Sequence, residues 1–473
     1  MRYDLTRLPL VKPLLKSRWP QFGLTTLALG GFVFAIVAGL IGTPVGNHNF
    51  SIVFVWIAWW ALLMLIAVPF FGRGWCSICP IPAPGEWLQR GAILKPQGRG
   101  LGLGRRWPNR LRNIWLQNIA FALVALFSAV VLTQPSITAL VLAAFLFVAL
   151  GVSLVFERRA FCRYLCPVGG FIGLYAQLAP VEIRVKDPAL CAAHTTKTCY
   201  TGSADGYGCP WQVFPGGLVK NTYCGLCVEC LRTCPHDNIA LNLRAFGTDL
   251  AAPAGRRLDE AFKAFVMLGS ALVYSAVMLG PWGALKAAAY GVGTPEWMLY
   301  AAVFVLWIFV LLPGLFWIAV YFSRVLSRYV VCSDAVRSDA RQCVSQKQLF
   351  VALAYALVPL GLAAWIAFSL SFVFANLSYL WPVLSDPLGW GWNLFGTAQA
   401  AWTPYLTGVT PALQTIVLLV GLAWASATTR RISVAVGQVS PVPAAQAQAN
   451  LSYLPVILFC LLVTLVLFWL LIA

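Results

Sequence analysis

The stretch Cys224-Gly-Leu-Cys227-Val-Glu-Cys230-Leu-Arg-Thr-Cys234-Pro235 is the densest chemistry in the chain. This C-x2-C-x2-C-x3-C-P spacing lets three close thiolates wrap three irons of a cubane, while the fourth cysteine ligates another cluster where two are present. So short a loop also turns backbone N–H groups toward the sulfurs, which favours an anionic cluster. A zinc site is the competing reading, but zinc needs two CxxC-type pairs and leaves the compact run unexplained.

Upstream lie Cys191, Cys199 and Cys209-Pro210, more loosely spaced. If the ligands cross between clusters, Cys209 completes the set of Cys224, Cys227 and Cys230, and Cys234 joins Cys191 and Cys199. That second set is one ligand short, and Cys332, Cys343 and His194 are the candidates for it. A single cluster with packing cysteines is the alternative. A further constellation recurs at Gly72-Arg73-Gly74-Trp75-Cys76-Ser77-Ile78-Cys79-Pro80 and at Arg158-Arg159-Ala160-Phe161-Cys162-Arg163-Tyr164-Leu165-Cys166-Pro167. Each places two cysteines just past the end of an apolar stretch, so Cys76, Cys79, Cys162 and Cys166 are expected to converge on one metal site at the membrane edge. Each proline suits the first turn of a new helix, and the arginines are expected to lower the thiol pKa values. A cubane, a mononuclear metal and a reactive dithiol all remain open there.

The elements that position these thiols cross a membrane. Of 473 residues, 60% are hydrophobic and 10% charged, and the mean hydropathy is +0.79; soluble domains carry about 25% charged residues. Apolar stretches at 23–45, 51–71, 114–133, 137–156, 262–282, 297–322, 348–378, 405–425 and 452–472 are each long enough for a helix through roughly 30 Å of hydrocarbon. Continuous apolar runs without period-two alternation exclude an outer-membrane barrel. The expected fold is an all-α polytopic membrane protein of about nine transmembrane helices with a small cytoplasmic ferredoxin-like insert. Residues 1–160 form a four-helix membrane domain, 161–260 the iron–sulfur domain and 261–473 a five-helix membrane domain.

The net charge of +18 reports orientation rather than nucleic-acid binding. With the amino end inside, 32 of 33 Lys and Arg residues fall on one side and only Lys286 on the other, the bias that orients proteins in bacterial inner membranes. The clusters are then cytoplasmic and the carboxyl end outside, with 23–45 as an uncleaved signal anchor. Thirteen of the fourteen cysteines face the reducing cytoplasm, where disulfides are rare; Cys460 lies inside a span as a small apolar residue. His48, His194 and His236 are the only histidines and lie outside the spans, excluding intramembrane bis-histidine haem. The acidic residues also avoid the span centres, which disfavours ion pumping. Trp75, Trp87, Trp107 and Trp115 could line quinone pockets, although an interfacial belt is the first reading for them. The segment 379–404, with Trp381, Asp386, Gly389, Trp390 and Trp392, is the largest outward loop and a surface for a periplasmic partner.

On the residues Cys162 to Pro167 and Cys224 to Pro235, the chain resembles the membrane polyferredoxins of the NapH/NosR type and the cytochrome-oxidase accessory ferredoxin. The likeness covers about 40–250 and not the helices beyond. Cys76-Ser-Ile-Cys79-Pro80 departs from the family's C-x3-C-P by a gap of two. The resemblance implies one to three [4Fe-4S] clusters and electron transfer between the quinol pool, or a cytoplasmic donor, and a periplasmic or membrane redox partner, as in a quinol dehydrogenase subunit. The alternative it implies is a maturation factor that supplies reducing equivalents for a partner's metal centre. No catalytic residue is assigned.

Overall fold

The computed structural model describes residues 2–94, 98, 100–252, 254–327, 345–437 and 452–472. Cys332 and Cys343 lie outside the described residues. Helices long and apolar enough to span a membrane are α1 (Trp19–Ile41), α2 (Phe50–Phe71), α3 (Pro135–Val155), α4 (Leu258–Leu279), α5 (Pro295–Leu326), α6 (Gln346–Ser385), α7 (Thr410–Ala435) and α8 (Leu454–Leu471). The chain is therefore a polytopic helical membrane protein. The count differs from the sequence expectation at 114–133, which forms a helix at Trp115–Leu126 and a short one at Ser128–Val131. Mean hydropathy over a window cannot register the single-residue break at Phe127.

The described chain forms two compact units. The first comprises 1–121, 130–249 and 376–405 and contains α1, α2 and α3. Here α1 and α3 approach closely because Gly39 is bare: a Cβ there would lie 2.6 Å from the Pro135 carbonyl oxygen and 2.8 Å from the Ala139 Cβ. The second unit comprises 122–129, 250–375 and 406–473, with α4 and most of α6 at its centre. Trp365 of α6 is fully buried and donates from Nε1 to the Met267 carbonyl of α4 at 3.0 Å, the partner a buried indole N–H requires. Cys460 is fully buried within α8.

The polar insert of the first unit is built on an antiparallel sheet of β1 (Arg2–Asp4), β2 (Val181–Val185) and β3 (Ile239–Arg244), ordered β1-β3-β2. Arg2 pairs with Arg244, and Val181 with Leu243. The sequence offers no hint of β1, because 1–22 has the composition of a basic leader. Those basic residues instead bind the insert: Arg2 pairs with Glu182 at 2.7 Å, Lys12 with Asp237 at 2.6 Å and Arg18 with Glu229 at 3.1 Å. Under the sheet, buried Arg244 bridges Glu182 and Asp249, each at 2.8 Å. Asp249 also accepts from the Asn221 N–H at 2.7 Å, which fixes the turn that leads into Cys224. Buried charges are tolerated only when paired in this way.

Candidate metal centres

At the end of α2 the chain reverses through Gly72, whose φ of +54° would strain any side chain and whose absent Cβ leaves room for Ala176 and Ala179 at 3.0 and 3.1 Å. Arg73 follows, then a short helix, Gly74–Ile78, carrying Cys76, and Cys79 in extended conformation. Pro80 does not open a helix as expected. The next one, Ala83–Arg90, begins after an intervening turn in which the Ala83 N–H reaches the Pro80 carbonyl at 3.2 Å. After α3, a π-helical turn, Phe161–Leu165, carries Cys162, and Cys166 caps the helix Pro167–Tyr175. Here proline does occupy the first turn, and the Gly169 N–H donates to the Cys166 Sγ at 3.2 Å. The bare Cα of Gly169 permits this approach, since an added Cβ would meet Cys166 Sγ at 3.4 Å and the Cys162 carbonyl at 3.0 Å.

The two motifs are tied together by their arginines. Arg159, buried, donates to the Cys76 carbonyl at 2.7 Å and to Glu86 Oε2 at 3.0 and 2.6 Å. Arg73, 3% exposed, reaches across bare Gly173 to the Gly169 carbonyl. Gln117 secures the Cys162 carbonyl at 3.1 Å. Cys79 and Cys162 both feel the charge of Cys76 and Cys166, so the four membrane-edge thiols form one electrostatic group.

In the insert, Cys230 feels Cys224, Cys227 and Cys209, while Cys224 and Cys227 each feel Cys209. Cys199 is most strongly coupled to Cys234 and Cys191. Cys209 also acts on Cys199, and Cys199 on Cys230, so the insert thiols lie near one another as a whole. His194 sits against His236 with ring centroids 4.7 Å apart, and its Nδ1 is buried without a hydrogen-bond partner.

The backbone around these sulfurs is arranged for negative charge. The backbone N–H groups of Ile81, Trp211, Leu226 and Glu229, each two residues past Cys79, Cys209, Cys224 and Cys227, favour the thiolate form of those cysteines. Val213 adds an N–H to Cys209 Sγ at 3.4 Å, and Asn238 one to Cys234 Sγ at 3.3 Å. Leu226 and Val228 hold the left-handed region, at φ of 49° and 54°, which turns successive N–H groups into a concave nest. Such strain persists where the surroundings impose it.

The arginines do act to lower the thiol pKa values, as the sequence suggested, Arg73 on Cys76 and Cys166 and Arg159 on Cys76 and Cys162. Burial outweighs them, pushing Cys166 and Cys224 up to about 11 and Cys227 up to about 12, with Cys76, Cys162 and Cys230 also raised. Burial thus favours the neutral thiol over the thiolate when nothing is bound. A bound cation would make them thiolates. Arg73 supplies the complementary observation. Its Nε and Nη1 are buried with no hydrogen-bond acceptor, beside Cys76, Cys166 and Cys224. An unpaired buried guanidinium among thiols fits an anionic thiolate cluster, which would offset its charge. Among the described residues, no three His, Cys, Asp or Glu side chains close on a single metal-ion position; a cubane spreads its thiolates more widely than one tetrahedral ion does.

Several contributors escaped the sequence reading. Trp211, 1% exposed, lies under the Arg73 guanidinium at 4.5 Å and fills the space left by bare Gly225, where a Cβ would meet its Nε1 at 2.0 Å. Its place directly after Cys209-Pro210 was the available signal. Glu86, the carboxylate between Arg159 and Arg90, had none. Of the tryptophans considered for a quinone pocket, Trp107 is buried and stacks on Tyr164 at 5.2 Å, Trp75 packs on Trp59 at 5.5 Å, and Trp87 faces Phe22 at 6.0 Å.

Residues 52–110 and 138–186 match the family described as a 4Fe-4S binding domain. A protein of Escherichia coli (strain K12), YccM, which is named for electron transport, is 30% identical over 83 residues, 17% of this chain and 21% of that relative's length. The chain therefore spans only about a fifth of the relative it matches. No solved structure matches it. Cys76 and Cys79 fall in the first matched stretch and Cys162 and Cys166 in the second, so the membrane-edge thiols lie within a region similar to a 4Fe-4S binding domain.

Proposed function

We propose that this chain is an inner-membrane electron-transfer protein, passing electrons between the quinol pool, or a cytoplasmic donor, and a periplasmic respiratory reductase through [4Fe-4S] clusters. The observation that carries this reading is that two buried arginines each act on thiols of both the membrane-edge and the insert group. Arg159 acts on both Cys162 and Cys227, and Arg73 on both Cys166 and Cys224, with Trp211 stacked beneath Arg73. Cys230 in turn feels Cys199 of the next group. Three cysteine groups in series make a wire rather than a structural staple.

Cys76, Cys79, Cys162 and Cys166 would hold the membrane-edge cluster, Cys209, Cys224, Cys227 and Cys230 the second, and Cys191, Cys199 and Cys234 the third. When bound, the clusters supply one-electron redox chemistry. The chain's own residues do the rest. The N–H groups of Ile81, Gly169, Leu226 and Glu229 stabilise the thiolates, Arg73 and Arg159 balance their charge, and Glu86 holds Arg159 in place. The exposed Trp381, Trp390 and Trp392 give a surface for a redox partner.

Iron and acid-labile sulfide per chain on anaerobically purified protein, with low-temperature EPR before and after a quinol, test the reading. About twelve irons and quinol-reducible signals are expected for three cubanes. About four irons that ignore quinol would overturn it in favour of a maturation factor supplying reducing equivalents for a partner's metal centre.

A further inference from the structure

Residues 100–112 take no part in holding the thiols, yet they are fixed in place as a strap along the end of α3. The N–H groups of Leu101, Leu103 and Arg105 donate in turn to the carbonyls of Leu88, Leu154 and Val155, at 2.8, 2.7 and 3.0 Å, and the Arg105 carbonyl accepts from the Glu157 N–H at 2.9 Å. Glycines let the strap come this close. An added Cβ on Gly100 would overlap the Gln89 carbonyl, and one on Gly102, whose φ is +141°, would lie 3.1 Å from the Leu154 carbonyl oxygen. Trp107 pins the far end. It is buried and stacked on Tyr164, and its Nε1 donates to the Leu111 carbonyl at 2.8 Å, while the Arg112 Nε donates to the Trp107 carbonyl at 3.3 Å.

In an extended segment alternate residues share a face, so the glycines at 100 and 102 lie against the protein and the leucines between them point away. Leu101 and Leu103 are 63% and 66% exposed, beside the last turn of a spanning helix. Arg105, Arg106 and Arg110 follow, all three exposed. From Trp87 to Phe156 the chain has no acidic residue to offset them. Leucines held at the edge of a bilayer gain by entering its acyl layer. Guanidiniums match phosphate oxygens in bidentate geometry, and basic residues clustered at the end of a spanning helix draw anionic lipid to it.

We infer that residues 100–112 form a binding site for anionic phospholipid, with Leu101 and Leu103 in the acyl layer and Arg105, Arg106 and Arg110 on headgroup phosphates. The inference rests on the membrane-spanning fold and not on the electron-transfer function. Lipid bound there also braces the membrane-edge thiols, because the strap is bonded through Leu88 to the helix Ala83–Arg90, whose Glu86 holds Arg159.

The test is native mass spectrometry of the full chain in a neutral detergent, titrated with dioleoyl phosphatidylglycerol, with dioleoyl phosphatidylcholine as the zwitterionic control. Arg105→Gln/Arg106→Gln/Arg110→Gln removes the headgroup contacts, and Leu101→Ser/Leu103→Ser the apolar ones. Arg430→Gln/Arg431→Gln, at exposed positions of the second unit, controls for charge lost elsewhere. All six positions are exposed, and an unchanged thermal midpoint in the absence of lipid shows that each variant is folded. The unaltered chain is expected to prefer phosphatidylglycerol. The first variant should lose about a hundredfold in affinity for it, the leucine variant about tenfold or more, and the control should match the unaltered chain. No preference for phosphatidylglycerol over phosphatidylcholine would overturn the inference. So would equal losses in the first variant and the control, which would mean diffuse attraction rather than a site. A loss with the arginine variant but none with the leucine variant would show that the strap takes phosphate alone, and the phospholipid assignment would fall. Iron content and EPR signals are read separately, so each of these outcomes leaves the electron-transfer reading where it stood.

Discussion

Arg159→Met is the most informative single change, because the geometry fixes what it removes. Arg159 and Glu86 are 8% and 6% exposed, and the substitution deletes two hydrogen bonds to Glu86 Oε2 and one to the Cys76 carbonyl. Breaking a buried ion pair from one side costs about 3–5 kcal/mol, chiefly because a charge is left buried and unpaired. Glu86 keeps its contact with Arg90, which places the expected cost near ~3 kcal/mol. For a unit of this size, that lowers the thermal midpoint by roughly 6–12 °C. The double variant Glu86→Gln/Arg159→Met leaves no uncompensated carboxylate, and Arg90, partly solvent-exposed, can hydrate. It should therefore be less destabilised than the sum of the single variants, by about 1 kcal/mol or more. The assay is loss of the visible iron–sulfur absorbance on anaerobic heating in detergent. A midpoint for Arg159→Met within about 1 °C of the unaltered chain, or strict additivity in the double variant, would refute the argument.

Two further outcomes follow from the thiol groups. Cys209→Ala and Cys224→Ala should remove the same EPR signal despite their distance in sequence, whereas Cys234→Ala should remove a different one together with Cys199→Ala; Cys234→Ala sharing its lost signal with Cys224→Ala would sink the crossed grouping. In the iron-free chain, burial holds Cys166 and Cys224 at about 11 and Cys227 at about 12, above the ordinary thiol value of 9.0. Between these limits the folded chain retains protons that the unfolded chain has lost, so its stability is undiminished below about pH 9 and falls as the pH rises toward 11–12. Iodoacetamide labelling of these cysteines should accordingly be slow at pH 7.5, and rapid labelling there would contradict the account.

Much of the site was legible because its information is local. The cysteine pairs at 76–79 and 162–166 fall inside the stretches that match a 4Fe-4S binding domain, as their spacing suggested. Pro167 opens its helix where the motif says it should. What could not be read was whatever depends on contacts distant in sequence. The ion pairs of Lys12 and Arg18 with Asp237 and Glu229, the Arg159–Glu86 pair and the seat of Trp211 leave no periodicity to detect. The net effect beside the thiols was out of reach for a related reason: the lowering by flanking arginines is visible in a sequence, but the depth of burial that outweighs it is not. Pro80 failed because a gap of two residues between the cysteines, rather than three, leaves the chain in a different turn.

The pairing of β1 with β3 sets an order of assembly. Arg2 finds its partner at Arg244, so at translation rates of about 5–20 residues per second the first strand waits roughly 10–50 s for its mate. Within that interval, α1, α2 and α3 emerge and can enter the bilayer while β1 remains an unpaired edge, open to pairing with a wrong strand. The pocket for the thiols closes only after residue 244 has emerged. On the proposed function, loading of the insert with iron is therefore a late event in biogenesis, downstream of the insertion of those helices, and a stalled or truncated product ending before β3 would carry cysteines with no sheet to hold them.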